Sequence, residues 1–262
     1  GGERFHVHPV AAPRSHMGAD EVYDTTFAAD MTVMEETAEF LRRMEAGGPF
    51  PMFTSCCPAW IRYMEHDVDL VLTTQELIRM IKEAGIRFNE LPDEAPDMPF
   101  GLGTGAGVIF GTTGGVAEAV VRRVMESESR NTLQEIAYSG VRGMEGVRAA
   151  ELTVGDKTVR IGVVDGLANA KRLITKMEAG EERFDLVEAM KCTNGCVGGA
   201  GQPIGRKEQK YARAKSLYEA DRKTLIKSSQ HNPILKTLYE KLPPEKAHEL
   251  LHVHYPQPEK MI

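Results

Sequence analysis

Cysteine is scarce in this chain, with four in 262 residues. That is too few for the disulfide scaffold of a small secreted protein and points to reduced thiols or metal ligands. Runs of Lys or Arg are missing and the net charge is −6, which argues against a dedicated nucleic-acid surface. No apolar stretch is long enough to cross a bilayer. The opening GGERFHVHPVAAPRS lacks the apolar centre of a secretory signal. Also absent are a ferredoxin-like C-x2-C-x2-C run, the GxGxxG and Gly-Lys-Ser/Thr nucleotide signatures, internal repeats and low-complexity linkers. What is present is ordinary for a globular, cytoplasmic chain: 42% hydrophobic and 27% charged residues. The length suffices to bury a full core, as one large domain or two lobes.

All four cysteines fall in two short loops. Cys56 and Cys57 adjoin in FTSCCPAW, and Cys192 and Cys196 share MKCTNGCVGGAGQP. A single C-x3-C spacing is weak, since zinc, a redox pair or chance would each produce it. That loop and the adjacent Cys56–Cys57 pair, which together carry every cysteine, suit soft ligands that converge on an iron–sulfur cluster. The plain alternative is two pairs of inert, buried thiols. Glycines 195, 198, 199 and 201 offer backbone N–H groups to cluster sulfurs.

Strand-then-helix patterns recur. FPMFTS is a short apolar run that ends at the first cysteine pair, and PAWIRYMEH follows as a helix start with Pro58 in its first turn. DVDLVLTT precedes QELIRMIKEAG, where Leu77, Ile78 and Ile81 share a face and Gly85 is the stop. TVRIGVVDG precedes LANAKRLITKMEAG, and RFDLVEAM leads into the second cysteine pair. The alternation predicts an α/β fold with parallel sheets, and both cysteine pairs lie just past carboxyl strand ends, where such sheets bind ligands. TVMEETAEFLRRMEAGG reads as a helix opened by a Thr32–Glu35 capping box. Glu36 and Glu39 lie one turn apart on it, a spacing that ordinarily marks a solvated face. From Arg206 onward the pattern is charged and helical.

Two further motifs have plain alternatives. The glycine-rich GLGTGAGVIFGTTGG, residues 101–115, either packs tightly or lets the helix that begins near Gly115 turn its free N–H groups toward an anionic group. HELLH, residues 248–252, matches HExxH, with His248 and His252 as zinc ligands and Glu249 as base. Only His254 and Glu259 follow as a third ligand, so a structural helix is the better reading.

Taken together, TSCCPAW, MPFGLGTGAGVIFGTTGGVAEAVVR, GVRGMEGVRAAE, MKCTNGCVGGAGQP, HNPILKTLYEK and AHELLHVHY resemble the catalytic domain of the iron-only, or FeFe, hydrogenases, over about residues 20–255. The resemblance implies two parallel-sheet lobes flanked by helices with the cluster between them. It also implies reversible proton reduction to H2 at the H-cluster. This is a 4Fe-4S cluster bridged by a cysteine sulfur to a diiron subcluster that carries CO, CN and a dithiolate amine. By motif, Cys196 is the bridging thiolate, Cys192 and Cys57 are cubane ligands, and Cys56 passes protons to the amine. Glu36 and Glu39 continue the proton route, and Met190 lines the diiron pocket. Partners implied are ferredoxin or other electron-transfer subunits, and maturation proteins for the diiron centre.

The match is interrupted. The family's Met-Pro-Cys motif and its following Lys, which supply a cubane ligand and a cyanide contact, have no counterpart where IRYMEH runs into DVDLVLTT. An internal segment is thus missing at the 66/67 junction, and a shorter one near 14/15, within a single domain spanning 1–262. The loop around Cys192 also departs from the family, with Lys191 before it and Thr193-Asn194 after it. A cluster-poor sensor or structural subunit is the alternative function.

Overall fold

The computed structural model describes residues 18, 20–56, 72–92, 94–98, 100–125, 130–144, 146–154 and 156–251. Among these, helix α1 spans Thr25–Ala46, strand β1 Met52–Thr54, helix α2 Thr74–Glu83, the short α3 Gly105–Val108, α4 Gly115–Val124 and α5 Arg130–Ile136. Strands β2 (Val147–Val154) and β3 (Lys157–Asp165) follow, then α6 (Leu167–Glu178), β4 (Leu186–Met190), α7 (Lys207–Lys223), α8 (Pro233–Lys241) and α9 (Pro244–Leu251).

The strands form one sheet in the order β1-β4-β3-β2. β1, β4 and β3 are parallel, with Thr54 level with Glu188 and Asp165 level with Met190. β2 is antiparallel to β3, because a connection of two residues is long enough only for a hairpin. The chain is therefore α/β as the alternation predicts, but the sheet is mixed. The expected second parallel-sheet lobe rests on DVDLVLTT, and residues 67–71 of it lie outside the described residues, as does PAWIRYMEH.

Both faces of the sheet are covered, which is why β3 and β4 read as nearly unbroken apolar runs. On one face Phe40 of α1 and Ala117, Val120 and Val121 of α4 pack with Met52, Ile161, Val163 and Leu186. On the other, Leu173 of α6 packs with Val164, Phe184 and Val187. A third cluster, Val33, Ala106, Phe110, Val116, Ala119 and Met190, sits at the carboxyl edge with Cys56 against it.

Helix α1 corrects the expected start. Asp24 caps it, accepting from the Thr26 N–H at 2.9 Å. Thr32 lies inside the helix, with its hydroxyl donating to Ala28 O at 3.1 Å. The Thr32–Glu35 pair matches a capping box in sequence, but Phe27, Asp30 and Val33 are already buried on the same helix, so tertiary burial extends it a further two turns. The α2 reading holds: Ile81 is buried and Leu77 and Ile78 partly so, and the helix stops at Glu83, before Gly85.

The C-terminal helices are fastened by two buried polar knots. Arg122, 2% exposed, donates to both oxygens of Asp221 at 2.8 Å and to Glu118 at 2.5 Å. Asp30, fully buried, accepts from Thr104 N–H and hydroxyl, Ser229 hydroxyl and Asn232 amide at 2.6–3.1 Å. Apart from the Arg122–Glu118 pair within α4, these contacts span more than seventy residues of sequence.

Candidate active site at the carboxyl edge of the sheet

Because β1 and β4 are parallel neighbours in register, the loops that leave their carboxyl ends emerge side by side. Cys56 follows β1, and Met190 ends β4 just before the loop that carries Cys192 and Cys196. The Cys56 thiol donates to Phe110 O at 3.4 Å and lies 3.9 Å from Met190 Sδ. It also faces Cys196. That sulfur, and then burial, push the Cys56 thiol well above the usual range, so it keeps its proton. The hydrogen it offers lowers Cys196 in turn. Cys56, Cys192 and Cys196 are free thiols. Cys57 lies outside the described residues.

Packing against the glycine-rich segment places the cysteine loop. Gly195 adopts φ +74°, and a Cβ there would meet Thr113 N at 2.7 Å, so the loop rests directly on the Thr112–Thr113 backbone. The expectation that the glycine N–H groups face a cluster is not met at three positions. Gly195 N–H donates to Cys192 O, Gly198 N–H to Gly195 O and Gly199 N–H to Cys196 O, at 3.0–3.1 Å. These glycines fold the loop on itself. Asn194, the only non-glycine residue at positive φ among those described, donates its side-chain amide to Met144 O at 3.0 Å.

The open question about residues 101–115 is also resolved. The chain enters α4 at Gly114, in the left-handed region at φ +90°. The anion at that helix start is internal: the Glu188 carboxylate accepts from Gly114 N–H at 2.6 Å and Ala117 N–H at 2.8 Å. Burial pushes Glu188 up to about 7 against the pull of those donors. Elsewhere the glycines permit close approach, since a Cβ at Gly103 would collide with the Thr26 side chain and one at Gly107 with Thr26 O. Glu188 was not singled out from sequence, although a glutamate inside the apolar run of RFDLVEAM was the available signal.

The two helix glutamates differ sharply. Glu36 is half-buried, and burial pushes it up to about 7, with the Thr54 hydroxyl and Arg43 pulling the other way. Thr54 ends β1 two residues before Cys56, so Glu36 comes against the cysteine edge. Glu39 turns outward, 2.7 Å from Arg43 and 3.0 Å from Arg42. The Arg43 hydrogen bond holds it below the ordinary carboxylate range. The solvated-face reading therefore describes Glu39 and not Glu36.

Among the described residues, no three His, Cys, Asp or Glu side chains converge as metal ligands do. The side chains that meet at this edge, Cys56, Met190 and Cys196, are soft sulfur donors of the kind that suit an iron–sulfur cluster. The fit is incomplete for a cubane. Were Cys57 to join Cys192 and Cys196 while Cys56 kept its proton, three thiolates would face four corners. Of HELLH, Glu249 is exposed and His248 lies 3.7 Å from Glu35, while His252, His254 and Glu259 lie outside the described residues.

Comparison with known proteins agrees with this architecture. The profile of the iron only hydrogenase large subunit, C-terminal domain, matches residues 6–68 and 64–200, and that of the iron hydrogenase small subunit matches residues 207–257. The chain belongs to the iron-only hydrogenase family. It is 35% identical to the NADP-reducing hydrogenase subunit HndD of Solidesulfovibrio fructosivorans, over 94% of this chain and 55% of that protein. It is 32% identical to iron hydrogenase 1 of Clostridium pasteurianum, over 91% of this chain and 54% of that one. The chain thus spans about half the length of these curated relatives. A solved FeFe-hydrogenase from Chlamydomonas reinhardtii superposes with a TM-score of 0.71 at 32% identity, covering 94% of this chain and 87% of that one. The small-subunit match begins at the first residue of α7, so both polar knots join large-subunit-like to small-subunit-like sequence within one chain.

Proposed function

We propose that this chain is the catalytic part of a hydrogenase that interconverts H2 with protons and electrons. Cys57, Cys192 and Cys196 would hold its H-cluster, a 4Fe-4S cluster with a diiron centre carrying CO, CN and a dithiolate amine, and Cys196 would be the thiolate between the two parts. The observation that carries this reading is the meeting of Cys56, Met190 and Cys196 at the carboxyl ends of two adjacent parallel strands. When bound, the diiron centre supplies the hydride chemistry. The chain's own part is to bury that site, line it with Met190 and handle protons. Cys56 is held protonated at the inner end. Glu36, with its carboxyl raised toward neutrality, exchanges a proton at working pH. Glu39 lies further out, toward solvent.

The fourth cubane ligand belongs to a segment missing at the 66/67 junction. Two facts support that view: the large-subunit profile matches in two pieces that meet at residues 64–68, and the 322-residue alignment to the Solidesulfovibrio relative exceeds the whole chain. Electrons come from ferredoxin or from partner subunits, and maturation proteins install the diiron centre. A cytoplasmic setting suits unpaired thiols. The three-ligand donor set favours one second reading, a cluster-poor sensor or structural subunit.

Anaerobic maturation followed by infrared spectroscopy separates the two. Carbonyl and cyanide bands with H2 evolution, both lost in Cys196→Ser, support the hydrogenase. A protein that takes up iron without those bands, or takes up none, supports the sensor or structural subunit.

A further inference from the structure

We infer that Arg213 of α7 is the positioning residue for Cys196, holding the backbone that carries this thiol from outside the cysteine loop. Its purpose rests on the hydrogenase reading; its contacts do not. The Arg213 guanidinium donates from Nη1 to Val197 O at 3.0 Å and from Nη2 to Pro203 O at 2.7 Å. Val197 follows Cys196 directly, so one arm of the fork ends a single peptide from the residue that bears the thiol. The other arm ends where the chain turns away toward α7. Val197 is held by its side chain as well. It is 6% exposed, and a Cβ on Gly111 would meet Leu217 Cδ1 at 2.7 Å and Val197 Cγ1 at 3.9 Å. Leu217 stands one turn after Arg213 on the same face of α7. One helix face therefore supplies both the polar and the apolar contact.

The loop's own hydrogen bonds leave these two carbonyls out. Gly198 N–H and Gly199 N–H turn back to Gly195 O and Cys196 O, and Gln202 N–H to Gly199 O, at 3.0–3.1 Å. Such bonds shape the loop without tying it to the rest of the molecule. The outward ties are Gly195 on the Thr113 backbone, the Asn194 amide on Met144 O, Gln75 N–H on Gly201 O at 3.0 Å, and Arg213. Among the described residues, Arg213 supplies the outward hydrogen bond nearest to Cys196 on its carboxyl side. Arginine suits this task because its planar fork reaches two carbonyls at a fixed spacing, whereas lysine is a single point donor. Because α7 opens the small-subunit-like sequence, the clamp makes that part of the chain a component of the cysteine site.

In the cluster-free protein, Arg213→Gln and Arg213→Lys each raise amide exchange at Gly198 and Gly199 by about tenfold or more, while the amides of β3 and β4 exchange as before. Exchange at the two glycines within twofold of the unaltered protein overturns the clamp. So does a rise shared equally by the strands, which marks general unfolding. Recovery of the unaltered rate in Arg213→Lys also overturns it, since charge alone then suffices. A second measurement follows the thiol. In protein reconstituted with ferrous iron and sulfide, the EPR g-values of the reduced cluster shift in both variants, because the Cys196 sulfur meets iron at a changed angle. Unshifted g-values overturn the proposal. If the unaltered protein assembles no cluster, the hydrogenase reading fails, while the exchange rates still decide whether Arg213 places the Cys196 backbone.

Discussion

The polar knots beneath the C-terminal helices and the cysteine edge of the sheet bury reactive groups in opposite ways. Arg122 is saturated, with Asp221, Glu118 and the Lys227 carbonyl taking its N–H groups at 2.5–3.2 Å. Asp30 has four donors on its two oxygens. At the cysteine edge the contacts are soft: a carbonyl at 3.4 Å and a thioether at 3.9 Å from Cys56. Buried charge with every partner present is a fastening, since desolvation is offset only when hydrogen bonding is complete. Thiols left with weak partners are available to a ligand.

That contrast makes graded predictions. Arg122→Ala should cost the most, about 3–5 kcal/mol, because it removes the buried cation between Glu118 and Asp221 and leaves them only the partly exposed Arg142, at 2.7 and 3.3 Å. Chemical denaturation measures this, and a cost below about 1 kcal/mol would mean the knot behaves like a surface pair.

Glu36→Gln sharpens the other side. Glu36 is raised from its ordinary 4.5 to about 7, so the folded state binds more protons than the unfolded state between those values. The stability from its protonated form is fully present below about 4.5 and is lost as pH rises to about 7. The neutral Gln removes that dependence. The variant should therefore gain on the unaltered protein as pH rises through this window, on the order of 2 kcal/mol at pH 8. A constant difference between pH 4 and 8 would show that Glu36 titrates as an exposed carboxylate.

The smallest effect belongs to Asn194→Gly. Glycine relieves the cost of φ 70°, while the amide tether to Met144 O is lost, and the two changes are each about 1 kcal/mol and opposite in sign. The variant should melt within a few degrees of the unaltered protein. A large loss would identify the tether as a main support of the cysteine loop.

Much of the frame was legible from local pattern. Short apolar runs marked β1, β3 and β4, helical spacing with a glycine stop marked α2 and α6, and the Gly114-Gly115 pair marked the start of α4. The cysteine pairs could be placed at strand ends from these alone. Less legible was β2, whose inward positions Ala150 and Leu152 are few among polar neighbours. The true start of α1 was also missed, because the Asp24 cap is followed by Thr25 and Thr26, which look like loop residues when burial is unknown. Glu36 and Glu39 were indistinguishable by spacing. Their separation into a raised and a lowered carboxyl depends on burial for one, and on Arg43 and Arg42 for the other.

The sequence by itself determined the alternation of strand and helix, the concentration of thiols in two loops and the family those loops belong to. Each of these is carried by residues within a turn or a strand of one another. Only the tertiary structure decided where the long-range partners fall. Glu188, and not a ligand, occupies the α4 N-terminus; the cysteine-loop glycines place three N–H groups on their own loop; His248 faces Glu35. The physical reason is that hydrogen-bond satisfaction of a buried group is a property of the assembled neighbourhood. Glu188 and Gly114 are 74 residues apart, and Tyr239 and Glu35 are 204 apart. No local periodicity carries information over such separations.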